Sequence, residues 1–212
     1  MIRAYREIYL CKAQSALGDA FDYAINACKI PGADFAKLFV ASTLCKRMEN
    51  GEPAVLAGMS GIEIAAQVID ETTGRQPDAV PREHFGRSKE YWIGWAVAYY
   101  QWYSARSYAE IFQALPYLDL VYLYDTLHEA DISKFADIAE ARMHERFPET
   151  SLKRLRTAYG FSQAELARQS GVTLRSIQMY EQRRKDINKA SADTLLRLAK
   201  VLGCSMEALM EK

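Results

Sequence analysis

Histidine is scarce in this chain of 212 residues, with three copies, and its four cysteines, Cys11, Cys28, Cys45 and Cys204, stand far apart with no C-x-x-C pair. The ligand spacing of a zinc site is missing, so reduced thiols and no bound metal are expected. A run of about 18 apolar residues is also lacking, which removes a membrane helix. The opening stretch MIRAYREIYLCKAQSALG places Arg3, Arg6, Glu7 and Lys12 where a secretory signal needs an unbroken apolar segment. A cytoplasmic protein is expected. Neither G-x-S-x-G nor a glycine-rich phosphate loop occurs, and Ile132 stands where a second histidine would complete a metal pair with His128. His84, His128 and His144 are therefore expected at the surface. No cofactor and no enzymatic activity are expected, and an enzyme tethered to DNA has no catalytic constellation to carry it.

Alternating β-branched runs are absent too, and what is present is helical signal from end to end. An all-α fold is expected. Capping boxes mark helix starts at Ser60–Glu63, Ser107–Glu110 and Ser162–Glu165, where a serine caps the first turn and a glutamate three residues on returns the bond. Gly51, Gly74, Gly160, Gly171 and Gly203 follow helical patterns as left-handed stops, and Pro148 closes the run from Ile132 to Phe147. The resulting map of the first part has helices near 3–29, 34–49, 61–72, 89–105, 108–115, 117–126 and 132–147. The stretch 72–88 is its longest loop. The short segment FPET, 147–150, divides the chain into 1–147 and 148–212.

Half of the residues are hydrophobic, enough for a real core, and the formal net charge is zero. That balance hides a split. Residues 151–212 carry 12 Lys and Arg against 6 Asp and Glu, whereas residues 1–150 carry 15 against 21. A basic carboxy-terminal module follows an acidic segment, the asymmetry an anion-binding domain needs.

The stretch EYWIGWAVAYYQWYSARSY, 90–108, is crowded with Tyr and Trp. On a helix these rings recur at i+3 and i+4 and cover more than half of its girth. Such a helix belongs in the middle of a bundle, with Gly94, Ala96 and Ala98 letting neighbours approach. Trp95 and Tyr99 are expected in the core, and at least one of Trp92, Tyr100 or Trp102 at the surface near a groove. Each polar tip needs a partner, so an aromatic pocket or partner groove stands as the alternative to a plain core.

The carboxy-terminal stretch SLKRLRTAYGFSQAELARQSGVTLRSIQMYEQ reads helix, glycine, capped helix, glycine-containing turn, helix. Ala167 sits where two helices cross closely, Gly171 in the turn, and Val172 and Ile177 between the helices as apolar plugs. FSQAELARQSGVTLRSIQMYE followed by TLLRLAKVLGCSMEALM resembles the DNA-binding domains of the Cro and phage-repressor (xre-type) family over about 60 residues. The resemblance implies a five-helix domain after an amino-terminal helical bundle. It implies a phosphate held by Gln163 and its helix terminus, Thr173 as cap of the recognition helix, and Leu174, Arg175, Gln178 and Met179 facing base edges. Ser176 is implied at a phosphate or in the helix turn, Tyr180 in the core, and Arg156 paired with Glu181. Leu174 and Met179 depart from polar readout and would offer apolar contact, most naturally to thymine methyls. The segment QRRKDINKASAD is longer than in compact members, and its Arg183, Arg184, Lys185 and Lys189 suit phosphates.

Taken together, the sequence points to a transcriptional regulator that binds double-stranded operator DNA, expected to be a homodimeric repressor. For residues 1–147 dimerisation is expected or one of two further roles. One is an antitoxin-type grip on a protein partner, a toxin, with the DNA module repressing its own operon. The other is the sensing of a small molecule in the aromatic region.

Overall fold

Fourteen α-helices and no strand are found among the described residues, 3–81 and 86–211, of a computed structural model. The fold is all-α. The chain divides into two compact units, Met1–Arg146 and Phe147–Lys212. His84 lies outside the described residues.

In the first unit a 3-10 turn, Glu7–Tyr9, leads into α1 (Leu10–Asp22), which runs on through a π-turn, Tyr23–Ala27. There follow α2 (Gly32–Ala41), α3 (Thr43–Glu49), α4 (Pro53–Leu56), α5 (Gly61–Thr73), α6 (Lys89–Ser104), α7 (Tyr108–Ala114), α8 (Tyr117–Leu127) and α9 (Ile132–Arg146). The single helix expected over 3–29 thus begins later and changes winding at Tyr23. The one expected over 34–49 is two. Ser42 breaks it: with extended backbone, its hydroxyl bonds the Phe39 carbonyl at 2.7 Å and accepts the Cys45 amide at 3.1 Å. Serine competes with a helix in this way because its side chain can replace backbone partners. The short α4, absent from the sequence map, starts at Pro53, whose fixed φ and missing N–H suit a first helical position.

The three capping boxes form as read, and all five glycine stops have φ between 57° and 73°. Helix α1 is the axis of the unit. Its Ala13, Leu17, Ala20 and Phe21 are fully buried. Helix α6 approaches so closely at Gly94 that a Cβ there would come within 2.8 Å of the Leu17 carbonyl carbon. The Tyr91 ring closes in on Gly18 in the same way, at 2.8 Å from its would-be Cβ. Around Phe21 the rings of Phe35, Phe39, Phe112 and Tyr117 gather with centroids 5.0 to 6.4 Å away.

The buried positions of α6 differ from those expected. Trp95 and Tyr99 are half-buried, while Tyr100 and Trp102 are buried, at 0% and 6% exposure. Trp92 is half-buried against Tyr124 and Phe135. The physical reason is the close approach at Gly94: it sets the small and aliphatic positions, Ile93, Ala96, Val97 and Ala98, at the centre and turns Trp95 toward the margin. Two of the buried rings have their polar tips met, whereas the buried hydroxyls of Tyr91 and Tyr108 have no hydrogen-bond partner among the described residues. Tyr100 donates to Glu140 at 2.7 Å, and Trp102 Nε1 donates to the Tyr5 carbonyl at 3.0 Å.

The second unit holds α10 (Ser151–Ala158), α11 (Gln163–Ser170), α12 (Leu174–Glu181), a 3-10 turn (Ile187–Lys189), α13 (Ala192–Val201) and α14 (Met206–Leu209). Leu152, Leu166, Ile177, Leu198, Leu202 and Leu209 make its core. No described helix of the protein is long and apolar enough to cross a membrane.

Candidate nucleic-acid interface

Helices α11 and α12 are joined by a turn that needs Gly171: its φ of 67° lies in the left-handed region, and its amide caps α11 by bonding the Ala167 carbonyl at 2.9 Å. Ser162 starts α11, accepting the Glu165 amide at 3.1 Å while Glu165 accepts the Ser162 amide at 2.7 Å. Hydrogen bonds from the Ser162 hydroxyl and amide hold the Glu165 carboxyl below the usual range. Thr173 caps α12 by accepting the Ser176 amide at 3.2 Å, and its hydroxyl also donates to Ser176 Oγ at 2.9 Å. Ser176 is thus engaged in the helix turn.

Below this turn Val172 and Ile177 are buried, and Tyr180 turns inward at 3% exposure. The opposite side of α12 looks out. Leu174, at 40% exposure, and Arg175 are exposed, and Gln178 and Met179 are half-buried. One helix therefore presents a short row of reachable side chains over a firmly seated base.

The seat is polar at its centre. Arg156 donates from Nε and Nη2 to the two Glu181 oxygens at 2.6 and 2.9 Å, and from Nη1 to the Phe161 carbonyl at 2.6 Å. Side-chain exposures of 12% and 2% make the pair largely dry. Glu181 raises the Arg156 pKa through these bonds, outweighing the opposing effect of burial. Gln163 joins the network, its Nε2 donating to Glu181 at 2.8 Å. Its side chain is therefore turned to the ion pair, which leaves the start of α11 to present backbone amides.

After α12 the basic residues part company. Arg183 has a left-handed φ of 55° and turns back, donating to the Pro148 carbonyl at 3.2 Å and pairing with Glu211 at 3.0 Å. Glu211 also accepts the Ser151 amide at 2.7 Å, and its backbone exchanges two hydrogen bonds with the Asn188 side chain, at 2.8 and 2.9 Å. Lys185 is exposed with Nζ 5.3 Å from the Tyr180 ring centroid, Arg184 is exposed, and Lys189 lies 3.6 Å from Asp186. This loop, read from sequence as a basic run, also buries Ile187 at 4% exposure. An isoleucine isolated among charged residues was the signal.

Elsewhere, His128 stacks on Tyr124 at 4.5 Å and bonds its carbonyl through Nδ1 at 2.8 Å, and His144 sits 3.5 Å from Glu140. Among the described residues no group of His, Cys, Asp and Glu side chains is placed to hold a metal ion.

A family model described as helix-turn-helix matches residues 152–209, the span of α10 to α14. No curated protein and no solved structure matches the chain significantly. The carboxy-terminal segment is a helix-turn-helix domain of the Cro and phage-repressor type, which marks the protein as a DNA-binding transcription regulator.

Proposed function

We propose that the protein binds operator DNA sequence-specifically as a homodimer and represses transcription, with α12 lying in the major groove. The observation that carries this reading is the row Leu174, Arg175, Gln178 and Met179 on the open side of a helix whose other side is locked into the core. Arg175 reads a guanine edge through its planar fork, Gln178 a second base, and Leu174 and Met179 take thymine methyls. The amides that start α11 at Gln163, and the turn at Thr173 and Ser176, meet phosphates. Arg184 and Lys185 anchor the backbone beyond the helix, whereas Arg183 does so only when its bond to Glu211 opens. Dimerisation follows from size, because one small module touches too few bases and a pair reaches half-sites about 34 Å apart.

Selection from a random duplex library with the full chain, followed by titration on the recovered and a scrambled duplex, tests the docking. Arg175→Ala should cost about 1–3 kcal/mol on the selected duplex, with little loss on scrambled DNA. Lys185→Ala should weaken both alike and lower the salt slope by about one. The reverse pattern would overturn the placement of α12.

For residues 1–147 the antitoxin-type reading is supported by acidic charge and by Leu118 and Tyr122, exposed one turn apart on α8 at 64% and 74%. The sensor reading is supported by a different observation, the aromatic cluster at the end of α6 and the cation it holds.

A further inference from the structure

Helix α6 ends in a site built for a positive charge. The guanidinium carbon of Arg3 lies 4.5 Å from the Trp102 ring centroid and 4.2 Å from that of Tyr103. Tyr99 completes the cluster, 5.9 Å from Trp102 and 6.0 Å from Tyr103. Arg3 Nη1 donates to the Tyr103 carbonyl at 2.9 Å. That oxygen belongs to the last turn of a 16-residue helix, where carbonyls have no partner within the helix and the dipole is negative. Negative ring faces and a negative helix end thus converge on one cation.

The occupant sits on a short segment hydrogen-bonded to α6. Besides the Arg3 bond, Ala4 donates its amide to the Trp102 carbonyl at 3.0 Å, and Tyr5 offers its carbonyl to Trp102 Nε1 at 3.0 Å. These three hydrogen bonds and the guanidinium hold residues 3–5 at the end of α6, and the Tyr5 side chain, packed against Gly51 with its hydroxyl buried, anchors the segment independently of Arg3. Every interaction the guanidinium makes at the rings and at the Tyr103 carbonyl is one a free guanidinium compound can make equally well.

Resting on the sensor reading, we propose that the Tyr99–Trp102–Tyr103 cluster is a binding site for a small guanidinium-bearing ligand and that Arg3 is its built-in competitor. Ligand entry displaces the Arg3 side chain and takes over the Tyr103 carbonyl. A planar group with N–H donors is selected over a quaternary ammonium ion, which can sit on the rings but cannot bond the carbonyl.

Calorimetric titration of the full chain with N-acetylarginine amide, followed in parallel by tryptophan emission, tests the site. Arg3→Ala should bind this probe about tenfold more tightly than the unaltered chain, because the competitor is gone. Adding Tyr103→Leu should abolish the gain, and tetramethylammonium should bind Arg3→Ala more weakly than the arginine amide does. Arg3→Gln, which keeps a donor for the Tyr103 carbonyl but no charge, serves if the alanine variant loses its helical circular dichroism. Equal affinity of the unaltered and Arg3-substituted chains, or binding that survives Tyr103→Leu, overturns the proposal and leaves Arg3 a structural tether. Association with the selected DNA duplex, measured on the same samples, separates this failure from failure of the regulator reading: DNA binding that persists while the cation site fails leaves the regulator intact.

Discussion

The amino-terminal unit is filled by rings, the carboxy-terminal one by aliphatic side chains, and they are stabilised at different points. Tyr100, Tyr108, Phe21, Phe35, Phe39 and Phe135 are among the largest fully buried side chains of the first. With so much ring volume, the arrangement is set by where backbones can approach, which is why Gly18 and Gly94 face neighbours at contact distance. The second unit has one inward tyrosine and a small set of Leu, Ile, Val and Ala. A chain of that length buries little apolar surface, so polar staples decide its stability: Arg156 with Glu181, serine and threonine caps, and the Glu211 clasp. Large cores are tuned by steric fit, small ones by charge and caps.

The sharpest way to break this contrast is Arg156→Ala. Removing one partner strands the nearly dry Glu181, at a cost of about 3–5 kcal/mol, comparable to the whole stability of a small domain. Calorimetry of the full chain should show the carboxy-terminal transition lost or strongly lowered and the amino-terminal one unmoved. An Arg156→Met, Glu181→Met double variant should lose less than the single one. If the double loses more, the pair itself, and not the stranded charge, holds the unit together.

Gly94→Ala comes next, and should lower the amino-terminal transition alone, by about 1–3 kcal/mol, because the added methyl meets the Leu17 peptide. An unchanged melting curve would show that α1 and α6 can separate freely, against the steric account of that unit.

The smallest effect is one of pH. The Glu165 carboxyl is held below its ordinary value of 4.5 by the Ser162 bonds, so its contribution is present above the unfolded value and disappears as pH falls through the depressed one. Glu165→Gln should remove that acid-side slope from the carboxy-terminal transition. A slope equal to that of the unaltered protein would assign it to other carboxylates.

The two units also differ in how much of them can be read from sequence. In the second, helix ends are written in capping residues and one-residue stops, and resemblance adds the Arg156–Glu181 pair and the inward Tyr180. These are local or family-fixed features. What stayed hidden there is tertiary: the bond of Gln163 to Glu181 and the turning of Arg183 to Glu211 depend on side-chain rotamers that spacing does not encode. In the first unit the caps were legible, and so was the small-residue approach at Gly94. The rotation of α6 about its axis was not, because its apolar residues wrap the helix and no single stripe stands out. Trp95 and Tyr99 were placed in the core, and the surface position was left open among Trp92, Tyr100 and Trp102, for that reason. Ser42 illustrates the same limit at the backbone, since a serine within an apolar pattern is compatible with both an unbroken helix and a break.

The Glu211 clasp has a bearing on the order in which the molecule is made. A ribosome supplies Ser151 first, Arg183 later, and Glu211, which holds both, 60 residues after Ser151. Helix α12 and the loop after it are thus synthesised before Glu211, and until that residue arrives Arg183 lacks its carboxylate partner and keeps only the Pro148 carbonyl. Glu211 thereby ties the loop after α12 to the start of α10, a closure that neither segment can make alone.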